Sequence, residues 1–390
     1  MIKILKPYIK KDNDKTKVYC DIYINNEKKI IWFEVENKYS NYLVDDRIDA
    51  YVIGLLNYAM RNNEDIVSDV PITEDLLYNI ETTLIPSLAK YGKSLYNIKI
   101  TAPVIEPIKQ GNAVGTGCSC GIDSFDAIKN HLDSKYKGMN ITHLCLNNVG
   151  AYNECYKEYG IEKVKNERYE VTKKVAKELN VELIETDSNF ASEIPQNHYL
   201  TNTYSCCFAI YMLQKLWKKY YLASAGLDYS KFTIVDNDIE DSAHYDLLTL
   251  QCFSHEGIRI FSESGEKNRL EKTINISNFK PAQKYLHVCI NKPFNCGICT
   301  KCRRTLVSLD AINKLEEFKE VFDIDYYKNH KIEYYDWLLN EHVNKNEMNE
   351  PSYQILSKRK DYRNSFKCKI KCFVKRTYIF KIYKKYKKCN

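Results

Sequence analysis

Two stretches of this chain hold residue types whose spacing can do chemistry. The first is Gly117-Cys118-Ser119-Cys120-Gly121-Ile122-Asp123-Ser124-Phe125, which follows a short apolar run and opens an amphipathic one. Small residues at a strand-to-helix turn let backbone N–H groups approach an anion, and the helix N-terminus adds its positive dipole. A phosphate fits such a loop, with Ser119 and Ser124 each able to donate a hydroxyl hydrogen bond. Asp123 repels a phosphate unless a divalent cation lies between them, and Mg²⁺ is the usual mediator. The plainer reading of the same residues is an ordinary turn in which Asp123 or Ser124 caps the helix.

The second stretch is Cys289, Cys296, Cys299 and Cys302, spelling C-x6-C-G-I-C-T-K-C. Four thiolates so spaced fit tetrahedral Zn²⁺, because Cys-x-x-Cys turns two sulfurs toward one ion. An iron–sulfur cluster takes the same ligand type. Lys301, Arg303 and Arg304 offset the charge of −2 on a zinc tetrathiolate. The chain has 15 Cys in 390 residues, yet a core of this size needs no disulfide staples, so clustered cysteines read as metal ligands.

Ser119-Cys120-Gly121-Ile122-Asp123-Ser124 resembles the Ser-Gly-Gly-x-Asp-Ser signature of the PP-loop ATP pyrophosphatases, the adenine nucleotide alpha-hydrolase-like superfamily. Cys120 stands where that signature has its first glycine. The resemblance implies a HUP-like fold whose loop, residues Ser119 to Ser124, grips the β,γ-pyrophosphate of ATP while a substrate oxygen attacks the α-phosphorus. Asp123 would hold Mg²⁺, and adenine would lie near Leu146, Asn147 and Asn148. The loop followed by C-x6-C-G-x-C-x-x-C and an arginine is similar to the 7-cyano-7-deazaguanine synthase family, in which the zinc site is structural and borders the active site. That likeness spans about Ala113 to Thr305.

These motifs need elements to hold them. Strand patterns occur at Val18 to Ile24 and Ile30 to Val35, and helical ones at Asp49 to Met60 and Leu76 to Tyr91, predicting a small α+β domain over residues 1–100. Beyond it, apolar strands at Ala113 to Cys118, His143 to Val149, Glu182 to Thr186 and Tyr220 to Ala225 alternate with helices. These are Ser124 to Leu132, Lys163 to Leu179 and Ser205 to Lys218. Such alternation predicts an α/β domain, residues 101–305, with a parallel sheet flanked by helices. A helical region over 306–350 and a basic tail over 351–390 complete the division.

Composition bounds the partners. With 44% hydrophobic and 28% charged residues the chain is globular. Its net charge of +7 is uneven: residues 351–390 carry fourteen Lys and Arg against Asp361 alone, leaving the rest at −6. A nucleic-acid-binding body is thereby disfavoured. The tail interleaves its lysines with Phe373, Tyr378, Phe380 and Tyr383, a pattern suited to an anionic membrane surface, to RNA, or to a solvated extension. Met1 to Lys17 lacks a signal-peptide core, so a cytoplasmic location, at most peripheral at the inner membrane, is expected.

Weaker candidates complete the sequence reading. Arg269 and Lys272 could neutralise transferring phosphates or form a solvated helix face. Asp187 and Ser224, at strand ends, could border a ligand cleft. Asp246 and His255 flank an apolar segment. Together these features predict an enzyme that transfers AMP from ATP to a carboxylate- or amide-like oxygen of a small-molecule acceptor, after which an amine, ammonia or thiol displaces AMP. Cys118 and Cys120 would carry sulfur only in a thiolation. The alternatives are a nucleotide-binding protein without turnover and a zinc-containing RNA-binding or RNA-modifying protein.

Overall fold

The computed structural model describes residues 1–151, 159–224, 228–234 and 241–364. It divides into two compact units, Met1–Glu266 and Lys267–Asn390. The division therefore falls at 266/267, where the sequence reading placed boundaries at residues 100 and 305.

Unit 1 holds thirteen strands among the described residues: β1 (Ile2–Ile4), β2 (Tyr8–Lys11), β3 (Lys15–Ile24), β4 (Glu27–Glu36), β5 (Ile66–Ser68), β6 (Ile72–Thr73), β7 (Ile100–Thr101), β8 (Val104–Ile105), β9 (Ala113–Gly117), β10 (His143–Asn148), β11 (Glu182–Ser188), β12 (Trp217–Ala223) and β13 (Arg259–Glu263). Eleven form one sheet in the order β13-β12-β9-β10-β11-β4-β3-β1-β5-β7, with β2 beside β3. Among themselves β9 to β13 run parallel. Numbered from β9, these five take the order 3-2-1-4-5 of a doubly wound sheet when β13 is counted outermost, so the direction of strand addition reverses at β9.

A separate domain over residues 1–100 fails to form because β4 adds antiparallel to β11, with Thr186 opposite Val35 and Ser188 opposite Phe33. The alternating burial of β3, with Val18, Cys20, Ile22 and Ile24 inward, is that of a strand covered on one face. Periodicity reveals the strand but not which sheet it joins. A buried polar tie also crosses the expected boundary: the Asp49 carboxylate accepts hydrogen bonds from Thr73 N (2.8 Å) and Gln214 Nε2 (3.1 Å).

Four crossover helices serve the parallel half: α2 (Ile122–Leu132), α3 (Ile161–Leu179), α4 (His198–Met212) and α5 (Asp246–Phe253), while α1 (Asp49–Asn62) precedes them. Right-handed crossovers put α2 and α3 on one face and α4 and α5 on the other. α1 packs on α4, where Phe208 meets Tyr51, Phe190 and Phe33. The outer edge of β13 is capped: Ser254 Oγ bonds both Ile260 N (2.9 Å) and Ile260 O (3.2 Å), and Tyr229 OH donates to Ser262 O (3.2 Å). A capped edge resists pairing with another chain.

Unit 2 is helical among its described residues: α6 (Arg269–Ile276), α7 (Lys280–Tyr285), α8 (Thr300–Ala311), α9 (Ile324–Asn329), α10 (Lys331–Val343), α11 (Glu350–Leu356) and α12 (Lys360–Asn364). Its centre is Asp310, whose carboxylate accepts from Tyr327 OH (2.8 Å), Tyr335 OH (3.2 Å) and Arg359 (3.0 Å) and pairs with Lys331. Residues 351–364 are therefore packed structure and not tail, with Leu356 and Tyr362 buried. The rest of the expected tail, including its aromatic residues, lies outside the described residues. No helix among the described residues is long and apolar enough to cross a membrane.

Candidate phosphate loop and metal centre

The phosphate-loop candidate sits at the C-terminal end of β9, at the strand where the sheet order reverses. In doubly wound sheets this is where ligands bind. Cys118 N donates to Cys145 O (2.7 Å), tying the loop to β10. Gly115, two residues before the end of β9, has a packing role: a Cβ there would come within 2.7 Å of Trp217 and 2.8 Å of Tyr220. Gly117 differs, because its Cβ would meet nothing within 4 Å among the described residues.

α2 begins at Ile122 with Gly121 as N-cap and no side-chain cap among the described residues. The plainer reading, in which Asp123 or Ser124 caps this helix, does not hold, because both lie inside its first turn. The amide groups of such a turn lack intrahelical acceptors. Ser124 Oγ instead donates to Gly117 O (2.9 Å), stapling the loop, and Ser119 Oγ accepts from Gly121 N (3.4 Å).

Cys120 takes φ +59°, the left-handed conformation the signature's glycine would adopt freely, and its side chain is fully buried. The substitution therefore keeps the glycine-like backbone and turns the thiol inward. There its hydrogen bond with Cys118, helped by Arg168, holds the Cys120 thiol below its ordinary range despite burial, while that same bond and burial push Cys118 up against the pull of Arg168.

Two residues that the sequence reading missed complete this site. α3 packs on β10 and β11 and presents Lys165 and Arg168, both under a tenth exposed. Arg168 donates to Ser119 O (3.0 Å). Lys165 bridges Glu162 (2.7 Å) and Asp187 (2.9 Å), whose bonds keep it protonated although burial works the other way. The signal was available: both cations flank the stripe Val164, Tyr169, Thr172 and Val175 on an amphipathic helix, where long side chains reach past the apolar face. Asp187 is accordingly an ion-paired residue, also accepting from Asn148 Nδ2 (2.7 Å), beside the end of β10. The Asn147 carbonyl oxygen of the side chain accepts from Thr186 Oγ1 (2.8 Å).

The remaining candidates have other roles. Ser224 is buried, its N–H on Glu263 O (3.0 Å); Ala225 and Gly226 lie outside the described residues. Asp246 is buried and bonded to Thr203 Oγ1, its pKa pushed up to about 8 by desolvation. His255 packs against Gln214 (3.2 Å) and is driven down to about 4, again by burial. Arg269 and Lys272 belong to unit 2. Lys272 is wholly buried, so the pair does not form the solvated face considered for it.

The four cysteines do come together. The sulfurs of Cys289, Cys296, Cys299 and Cys302 all lie within 4.8 Å of one another, and Cys299 Sγ is 3.9 Å from Cys289 Sγ. Tetrahedral Zn–S bonds require sulfurs about 3.8 Å apart, so the arrangement fits a zinc ion. Asn291 N (3.4 Å) and Lys292 N (3.3 Å) point at Cys289 Sγ and Cys299 N (3.4 Å) at Cys296 Sγ, so backbone donors face both sulfurs. Gly297, at φ +75°, makes the knuckle's turn, and Tyr334 OH holds its carbonyl (3.1 Å). Asn295, unremarkable in the sequence, clamps the loop: its Oδ1 accepts from Val288 N (2.9 Å) and its Nδ2 donates to Leu286 O (2.8 Å) and Val321 O (3.0 Å).

Comparisons with protein-family models, with curated proteins and with solved structures gave no match to this chain. What can be stated from fold and site is an α/β unit with a large mixed sheet, and a helical unit carrying a four-cysteine cluster able to hold a metal such as zinc.

Proposed function

We propose that unit 1 is a PP-loop ATP pyrophosphatase that binds ATP with Mg²⁺ and adenylates an acceptor oxygen. The observation that carries this reading is the buried Arg168 guanidinium, whose Nη2 donates to the Ser119 carbonyl (3.0 Å) beside the N-terminus of α2. A buried cation beside a helix N-terminus stabilises a polyanion and the charge that develops as pyrophosphate leaves.

In this reading the 119–124 backbone and Arg168 hold the β- and γ-phosphates, and Asn147 borders adenine. Asp123 offers the hard oxygen that Mg²⁺ prefers, and the ion would supply charge neutralisation at the phosphates. A carboxylate or amide oxygen of the acceptor attacks the α-phosphorus, the bond from that phosphorus to the α,β-bridging oxygen breaks, and pyrophosphate departs. An amine, ammonia or thiol then attacks the activated carbon and AMP leaves with the acceptor's oxygen. The protein contributes placement and charge, and no residue need act as nucleophile.

The test is ATP binding by calorimetry together with acceptor-dependent pyrophosphate release. Asp123→Ala should lower Mg²⁺-dependent release by about a hundredfold or more with unchanged circular dichroism, since metal assistance is worth several kcal/mol. Wild-type release in that variant removes Asp123 from the mechanism. Failure of the wild-type chain to bind ATP removes the whole reading. Binding without release across carboxylates and amides leaves a nucleotide-binding protein without turnover.

A further inference from the structure

We infer that a cavity between α5 and the edge strand β13 binds an aromatic α-amino acid as its zwitterion, at a site separate from the phosphate loop. The cavity has a volume of about 670 Å³, within the range of small-molecule sites. It lies on β13, two strands away from β9. Leu247 and Leu250, three apart on α5, supply aliphatic lining, and Tyr229 and Phe261 add two rings. Tyr229, Leu247 and Phe261 are each more than a third exposed, so three large apolar groups share one hollow. A Cβ on Gly265 would strike the Tyr229 ring, so glycine is what lets that ring stand there. Tyr229 OH then fixes it by donating to Ser262 O (3.2 Å).

The charges on the lining select the occupant. Among the described lining residues Arg259 and Glu256 carry the two opposite charges, both are exposed, and neither forms an ion pair among the described residues. His255 stays neutral, driven to about 4 by burial, with Nδ1 accepting from Gly257 N (3.0 Å). The turn that carries the two charges is pinned: His255 and Ile258 exchange backbone hydrogen bonds (3.0 and 3.2 Å), and a Cβ on Gly257 would crowd Ile108 O. One cation and one anion thus stand close together on a fixed base, which lowers the ordering cost of binding. Lys219, opposite Arg259 on β12, is engaged with Gly138 O (3.4 Å) and does not line the cavity. An α-carboxylate on Arg259 and an α-ammonium on Glu256 complement both charges, and an aromatic side chain then lies against the leucines and rings. A strand from a partner protein is the poorer occupant. Ser254 Oγ already engages Ile260 N and O, and Tyr229 OH the carbonyl of Ser262, so the edge groups that strand addition needs are taken there.

The experiment is calorimetric titration of the full chain with L-phenylalanine, beside 3-phenylpropionate, which lacks the ammonium, and phenethylamine, which lacks the carboxylate. L-phenylalanine should bind at one site per chain, and each analogue about tenfold more weakly or worse, because each leaves one charge of the site unmatched. Arg259→Gln and Glu256→Gln should each weaken L-phenylalanine by about tenfold. Both variants should melt with the wild type, since both side chains are exposed. No saturable binding of L-phenylalanine to the wild-type chain overturns the inference. So does 3-phenylpropionate or phenethylamine binding as tightly as the amino acid, which would leave a site for a single charge. Unchanged L-phenylalanine affinity in either variant also overturns it, because both charges are then not required.

Discussion

Cys120 separates what a residue's identity can tell from what its conformation adds. The sequence marks it as the departure from a glycine signature, and the left-handed backbone with an inward thiol is visible only in the fold. Holding a Cβ in that region costs about 1–2 kcal/mol. Cys120→Gly removes this strain and loses a small buried group, so its stability should stay within about 1 kcal/mol of wild type. Cys120→Ala keeps the strain and loses the thiol, and should be the less stable of the two, inverting the usual order of glycine and alanine. Chemical denaturation of both variants decides it, and alanine proving the more stable would mean the backbone is unstrained.

Asp246 offers a second test at this scale, one of pH. Its folded pKa is raised to about 8 by burial, against about 3.9 when unfolded. Between these values the folded state binds the extra proton, so its contribution is fully present below about pH 4 and is lost as pH rises through 8. Asp246→Asn keeps an acceptor for Thr203 and cannot ionise. It should flatten the fall in stability between about pH 4 and 8, and an unchanged profile would show that Asp246 ionises freely in the fold.

At the scale of elements, legibility followed length and periodicity. β3, β4, β9 to β12 and the helices α1, α2 and α3 were visible because each repeats its apolar positions over several residues. Strands of two to four residues, such as β1, β5 and β7, carry no readable period and exist because long-range neighbours pair with them. Cysteine spacing likewise disclosed the knuckle's ligands but not Asn295, whose role depends on carbonyls up to 26 positions away. We expect one zinc per chain, and a chelator should lower the melting temperature because metal binding is coupled to folding in such loops. Iron with sulfide on elemental analysis would replace zinc with a cluster. Asn295→Ala strips the clamp and leaves buried groups unpaired, at about 1–3 kcal/mol, and should release zinc to a competing chelator faster than wild type.

At the scale of the whole molecule the charge is divided with the fold. The segment Lys267–Asn390 has 28 Lys and Arg against 13 Asp and Glu, so it carries +15, and Met1–Glu266 carries −8. The sequence showed the basic C-terminus but not that its residues 351–364 pack into unit 2. Arg359 donates to Asp310 O (2.7 Å) and Ala311 O (2.9 Å), closing the end of α8, while Leu356 and Tyr362 are buried. A cut after Pro351 therefore removes a helix cap, two core side chains and a partner of the buried Asp310 carboxylate. Asp310 keeps Tyr327, Tyr335 and Lys331, so the loss of Arg359 is that of one charged hydrogen-bond partner, about 1.5–3 kcal/mol. A cut after Asn364 removes ten basic residues and none of these contacts. The shorter truncation should melt with the full chain and bind ATP equally well, while the longer one should melt several degrees lower and lose zinc more readily. If both truncations melt together at the full-length temperature, residues 351–364 contribute nothing to unit 2, and the Arg359 closure is not a stabilising feature of the fold.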